Sequence, residues 1–181
     1  MKKRVKEQAQ KKRTVYVFDF DDTLVKTDSV IRVKPAKGKQ FILTPGEFAV
    51  YDEEPGDEFD YSDFEKLINP REIAWTNELL RKAVSEHGKK NVIVLSARTN
   101  DAPIHEFLIN VELHGIRVVA LGNANPSSKS VWISSLIANG NIAEVVFYDD
   151  AYRNVAAVKA LQKRNPNTKI TAHHVPHIPS K

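Results

Sequence analysis

Short apolar runs alternate along this chain with polar stretches in which apolar residues recur at helical spacing. The runs at 15–19, 91–96, 117–121, 144–148 and 168–175 are rich in Val, Ile, Leu and aromatic residues and read as buried strands. Between them the helical pattern appears repeatedly. Over 70–87 it places Ile73, Leu79, Leu80, Ala83 and Val84 on one side, with Gly88 as the stop. A second helix opens at Asp101-Ala-Pro103, carries Ile104, Phe107, Leu108 and Val111, and closes at Gly115. A third spans 127–139 and ends at Gly140, and a fourth spans 154–164 and is halted by Asn165-Pro166. Strands alternating with helices at this interval predict an α/β fold, a doubly wound, Rossmann-like parallel sheet of about five strands.

The pattern departs from this rhythm only after the first strand. Short β-like runs at 29–34 and 41–44 flank Pro35-Ala-Lys-Gly-Lys-Gln, which predicts a hairpin with a long loop. Thr44-Pro45-Gly46-Glu47 is a helix start, with Thr as cap, Pro at the first helical position and Glu three after the cap. Residues 51–65 then hold eight acids and no base, which predicts a solvated, irregular connection. A calcium loop needs ligands at alternate positions around a central glycine, and that spacing is missing. The chain thus divides into a basic stretch at 1–13, expected to be a flexible tail, and a single domain at 14–181 carrying a small insert at 29–69.

Composition adds exclusions. With 181 residues, 41% hydrophobic and 28% charged, the chain suits one soluble domain with a core. No run approaches the roughly 18 apolar residues of a membrane span, and no apolar segment follows the basic start as a secretory signal would. Cysteine is absent, so there is no disulfide framework or thiolate chemistry, and a cytoplasmic location fits. The net charge of +4 hides an uneven distribution. Residues 1–13 contain seven basic side chains and one acid, a charge of +6 that leaves −2 on the remainder. Such a tail is either a solvated terminus or a contact for nucleic acid.

The candidate chemistry lies at strand ends. In open α/β sheets ligands bind outside the carboxyl ends of the strands. The first strand runs into Asp19, Phe20, Asp21, Asp22 and Thr23; the second ends in Ser96, the fourth in Asp149-Asp150. Crowded carboxylates must be offset by a cation, and a divalent metal is the obvious one. On an extended backbone Asp19 and Asp21 share a face while Asp22 points elsewhere. Lys129 falls near the first turn of its helix, where the helix dipole disfavours it unless an anion occupies the site. Ser96 is a hydroxyl suited to a phosphate oxygen, and Arg98 is either a second phosphate contact or a loop anchor.

The pattern Asp19-Phe-Asp21-Asp-Thr23-Leu after an apolar strand, with Ser96, Lys129 and Asp149-Asp150 following in order, resembles the four motifs of the haloacid dehalogenase (HAD) phosphohydrolase superfamily, in its small-cap form. The resemblance implies Mg²⁺-dependent hydrolysis of phosphomonoesters through an aspartyl-phosphate. Asp19 would be the nucleophile and Asp21 the general acid and base. Asp19, the backbone carbonyl of Asp21 and Asp149 would hold the metal, with Asp150 orienting Lys129 or holding a metal-bound water. Thr23, Ser96, Arg98 and Lys129 would contact the substrate. Ser96-Ala97-Arg98 is similar to the Ser-Gly-Arg of polynucleotide kinase-phosphatases, which implies 3′-phosphorylated nucleic-acid ends as one substrate class; Ala97 departs from the glycine and no kinase P-loop is present. Nucleotides and small metabolites are alternatives, as is a non-catalytic nucleic-acid-binding protein on the same fold. His173, His174 and His177 read as a solvent-facing strand end rather than a metal site. Trp75 and Trp132 form no stacking platform.

Overall fold

The computed structural model describes residues 12–48 and 50–176. In chain order the core elements are β1 (Arg13–Phe18), then an insert of small elements, then α2, β7, α3, β8, α4, β9, α5 and β10, with ranges Ala74–His87, Val92–Ser96, Ala102–Asn110, Arg117–Ala120, Pro126–Asn139, Ile142–Asp149, Tyr152–Ala160 and Lys169–His174. The insert comprises β2 (Val25–Lys26), β3 (Ile31–Lys34), β4 (Phe41–Leu43), α1 (Pro45–Phe48), β5 (Glu58–Asp60) and β6 (Arg71–Glu72). The main sheet is five-stranded and wholly parallel, in the order β10-β9-β1-β7-β8. It is a Rossmann-like α/β fold with β1 at its centre.

Period-two alternation divides the core between two faces. Phe18, Val92 and Val94 pack with Leu80, Ala83, Ile104, Phe107 and Leu108 under α2 and α3. Val15, Val17, Ile93, Leu95, Val145 and Phe147 point the other way, against Ile133, Val155 and Val158 of α4 and α5. The strands are apolar on both sides because helices cover both. From β1 the chain steps one way to β7 and β8, then crosses back to β9 and β10 on the other side. The reversal puts the carboxyl ends of β1 and β9 side by side, with Phe18 opposite Tyr148.

The expected hairpin is present, with β3 and β4 antiparallel and Arg32 opposite Ile42. The helix start at Thr44 is a capping box: Thr44 Oγ1 accepts from the Glu47 amide at 3.3 Å, and Glu47 Oε2 accepts from the Thr44 amide at 2.8 Å.

Among the boundaries that differ from the sequence expectation, three change how a stretch is read. Residues 51–65 are not irregular throughout: β5 joins β3 with Val33 opposite Phe59, and 62–65 form a 3₁₀ turn. The acids hid this strand, but Glu58 and Asp60 occupy its outer positions while Phe59 turns inward to meet Phe48, Tyr51 and Tyr61. Basic residues of β3 offset the acids, with Lys34–Glu58 and Arg32–Asp63 both at 2.8 Å. The helix expected from residue 70 starts at Ala74, because Arg71–Glu72 pairs instead with Val25–Lys26. The helix after Asp101 ends at Asn110 rather than near Gly115: Glu112 takes a positive φ of 62°, and the Leu113 amide returns to the Leu108 carbonyl at 2.7 Å.

Candidate functional site

The carboxylates gather where β1 and β9 end. The Asp19 amide donates to the Tyr148 carbonyl at 2.9 Å, extending the ladder one residue past β1. Then the chain turns sharply. The amides of Leu24 and Val25 both return to the Phe20 carbonyl, and Asp22 adopts a φ of 55°. The extended alternation therefore stops at Phe20. Two buried polar residues of α2 fasten this turn: Thr76 Oγ1 donates to the Thr23 carbonyl, and Asn77 Nδ2 donates to that of Leu24. Sequence reading missed both, since a polar pair inside a helical pattern gives no sign of which turn it will meet.

Asp19, Asp149 and Asp150 are all buried, and one carboxylate oxygen from each lies within 4.8 Å of the others. Lys129, on the first turn of α4, bridges two of them, with Nζ 2.6 Å from Asp19 Oδ1 and 2.7 Å from Asp149 Oδ2. The residues before it place it there: Asn125 caps α4 by accepting from the Ser127 amide, and Pro126 opens the helix. Thr23 Oγ1 lies 3.3 Å from Asp19 Oδ2 and 3.4 Å from Asp150 Oδ1, and it accepts from the Asp150 amide at 3.1 Å. Its single proton serves one carboxylate at a time. Asp149 is held further by the Ala151 amide at 2.8 Å and by Asn154 Nδ2 at 2.9 and 3.0 Å. Asn154 was not singled out in the sequence; its position in the first turn after Asp149-Asp150 was the only available signal.

Burial dominates the electrostatics. It pushes the Asp19 carboxyl up to about 7, against the opposing charge of Lys129 and with the help of Asp149. Asp149 is likewise raised by burial. For Lys129 burial acts to lower the pKa, but Asp149 and Asp19 outweigh it, so the ammonium is held more firmly than usual. One lysine among three carboxylates leaves the cluster short of positive charge, and these oxygen donors suit a hard divalent cation. Asp19, Asp149 and Asp150 fit that role.

Asp21 stands apart from the cluster. Both of its carboxylate oxygens accept from Arg98, at 2.7 and 2.9 Å. The Arg98 guanidinium is almost wholly enclosed between the rings of Phe20 and Phe64, whose centroids lie 5.3 and 5.1 Å away, and its third nitrogen donates to the carbonyls of Phe64 and Lys66. Arg98 is thus brought to the site, but its donors are directed at Asp21 and the insert. Ser96 is buried at the end of β7, and its hydroxyl accepts from the Arg98 amide at 3.2 Å. Of the histidines, His173 stacks on Tyr148 with ring centroids 4.7 Å apart, His174 lies across from Tyr152, and His177 is outside the described residues. Among the described residues the only group of metal-ligating side chains is the aspartate cluster. Trp132 lies under Arg117 and Trp75 on the surface of α2.

No family model, no curated protein and no solved structure matches this chain. The fold and the buried aspartate cluster therefore carry the functional argument. No helix among the described residues is long and apolar enough to cross a membrane.

Proposed function

We propose that this protein is a Mg²⁺-dependent phosphomonoesterase of the HAD type that works through an aspartyl-phosphate on Asp19. The observation that carries the reading is the buried Asp19 carboxylate at the end of the central strand, tied through Lys129 to Asp149 and beside Asp150. A carboxylate nucleophile must approach an anionic phosphoryl group, so cationic charge has to be in place before reaction. Lys129 supplies part of it. A Mg²⁺ ion held by Asp19, Asp149 and Asp150, with the Asp21 carbonyl, would supply the rest and neutralise charge on the transferring phosphoryl group.

In the first step a carboxylate oxygen of Asp19 forms a bond to phosphorus as the ester P–O bond breaks. Asp21 delivers a proton to the departing oxygen, releasing the alcohol. In the second step Asp21 takes a proton from water, the water oxygen attacks phosphorus, and the Asp19–phosphorus bond breaks to give inorganic phosphate. Thr23 steadies Asp19 throughout, Asn154 orients Asp149, and Ser96 offers a hydroxyl to a phosphoryl oxygen. The bidentate hold on Asp21 supports Arg98 as the residue that places the acid-base group, more than as a phosphate contact.

Phosphate release from an aryl phosphate with and without Mg²⁺ tests the reaction. A panel of 3′- and 5′-phosphorylated oligonucleotides, nucleotides and sugar phosphates tests the substrate class. Absence of turnover across that panel with Mg²⁺ present would exclude the reading and leave a non-catalytic protein on this fold.

A further inference from the structure

In a parallel sheet every strand starts on one edge and ends on the other. The aspartate cluster occupies the carboxyl edge. The amino edge lies roughly 17 to 26 Å away, the length of the five-residue β7 and the eight-residue β9. The amino edge carries a row of exposed basic side chains. Lys12 and Arg13 lead into β1, Lys90 sits in the 3₁₀ turn before β7, and Lys163 and Arg164 close the turn before β10. Arg117 opens β8 and Lys169 opens β10.

Part of this charge is already engaged. Lys169 pairs with Glu144 at 2.7 Å, and Arg117 lies over the Trp132 ring. Among the described residues Lys90, Lys163 and Arg164 form no ion pair. Helix carboxyl ends attract cations, and that accounts for basic residues following α2 and α5. It does not account for Arg13, Arg117 and Lys169, which begin strands, where the backbone dipole is small.

The opposite end of the molecule has the opposite sign. Residues 29–69 hold nine acids and five bases, and Asp52, Glu53 and Glu54 are exposed.

We propose that the amino edge of the sheet is a docking surface for the sugar-phosphate backbone of a nucleic acid, separate from the carboxylate site. Five strands spaced about 4.8 Å apart make an edge roughly 19 Å wide, which spans about five phosphates of one strand. A bilayer would need apolar side chains beside the bases. Here Phe41, Ile42, Val50 and Tyr61 lie in the insert, and the other exposed large apolar residues, Trp75, Ile109, Val131 and Tyr152, stand singly on α2, α3, α4 and α5. A nucleic acid held at the amino edge keeps its charge away from the acidic insert.

The test uses the full chain in excess chelator, with a fluorescein-labelled single-stranded oligonucleotide of about twenty nucleotides carrying no terminal phosphate, read by fluorescence anisotropy across a salt series. The assay requires no turnover, so it stands whether or not the phosphatase reading does. Wild type binds with a steep salt dependence. Lys90→Gln/Lys163→Gln/Arg164→Gln lowers the log–log salt slope by about 2, at roughly 0.7 per lost phosphate contact, and weakens low-salt binding at least about tenfold. Lys163→Glu/Arg164→Glu weakens it in the same direction, while Lys37→Gln/Lys39→Gln in the insert leaves it unchanged. Thermal melts check that all three variants fold. The proposal is overturned if the triple variant binds like wild type, or if the insert variant loses as much. Binding only to phosphatidylserine-containing vesicles, or to neither probe, overturns it as well.

Discussion

Burial favours the protonated form of Asp19, and the Lys129 ammonium 2.6 Å away is what opposes it. Asp19→Asn nearly conserves volume but replaces the carboxylate proposed as nucleophile with an amide. Turnover is expected to fall about a thousandfold or more, with an unchanged circular dichroism spectrum. Activity within tenfold of wild type would remove Asp19 from the nucleophile role. The same burial makes stability depend on pH. The Asp19 pKa is about 7 in the folded protein against an ordinary value of 3.8, so between those limits the folded state binds a proton that the unfolded state has lost. Stability from this group is therefore greatest at the acid end and declines as pH rises through that window, by up to about 1.4 kcal/mol per pH unit. His173, whose pKa is lowered, pulls in the opposite direction and Asp149, raised by burial, in the same one, so Asp19→Asn serves as the reference. Urea melts in chelator at pH 5 and pH 7 should show wild type losing more stability than Asp19→Asn over that interval. An equal or smaller loss would contradict the burial argument.

At the scale of elements, the insert and the loop after β7 meet at one side chain. Arg98 joins Asp21 to the carbonyls of Phe64 and Lys66, and Glu65 accepts from Thr99 and Asn100 beside it, both at 3.3 Å. Arg98→Met leaves the Asp21 carboxylate and both carbonyls without their donor. It should cost about 3 kcal/mol in a denaturant melt and increase amide hydrogen exchange over 62–66. Phe64→Ala removes one ring of the sandwich but keeps the Asp21 pair, so exchange over 62–66 should rise with a smaller loss of stability. Unchanged exchange in both variants would mean that the insert is held elsewhere. Little of this element was legible in sequence. Residues 51–65 have the composition of a solvated loop, and only the pairing of Phe59 opposite Val33 makes three of them a strand. Arg98 was legible as a site residue, but its partner was not, because Asp21 and Arg98 are 77 positions apart and each could have faced substrate.

For the molecule as a whole, the proposed chemistry depends on filling a cluster that holds more negative than positive charge. Mg²⁺ should therefore raise the melting temperature at pH 7 and be required for turnover, with Ca²⁺ a poor substitute, because its longer and more numerous contacts misplace an in-line attack. Full activity in excess chelator would sink the metal assignment. The amino-acid sequence by itself determined the alternation of strands and helices, the capping box at Thr44 and the polar ends of apolar strands, since each is a pattern among residues a few positions apart. It also marked Asp19, Lys129 and Asp149-Asp150 as candidates, because charged residues at the ends of buried segments conflict with their surroundings unless they are partnered. Only the tertiary structure decided which strands are neighbours. The chain returns past β1 to place β9 beside it, and this brings Thr23 against Asp150 across 127 positions and gathers three carboxylates, two of them bridged by one lysine. Strand order follows from how two helical layers close over both faces of a sheet, a long-range packing outcome that no local periodicity records.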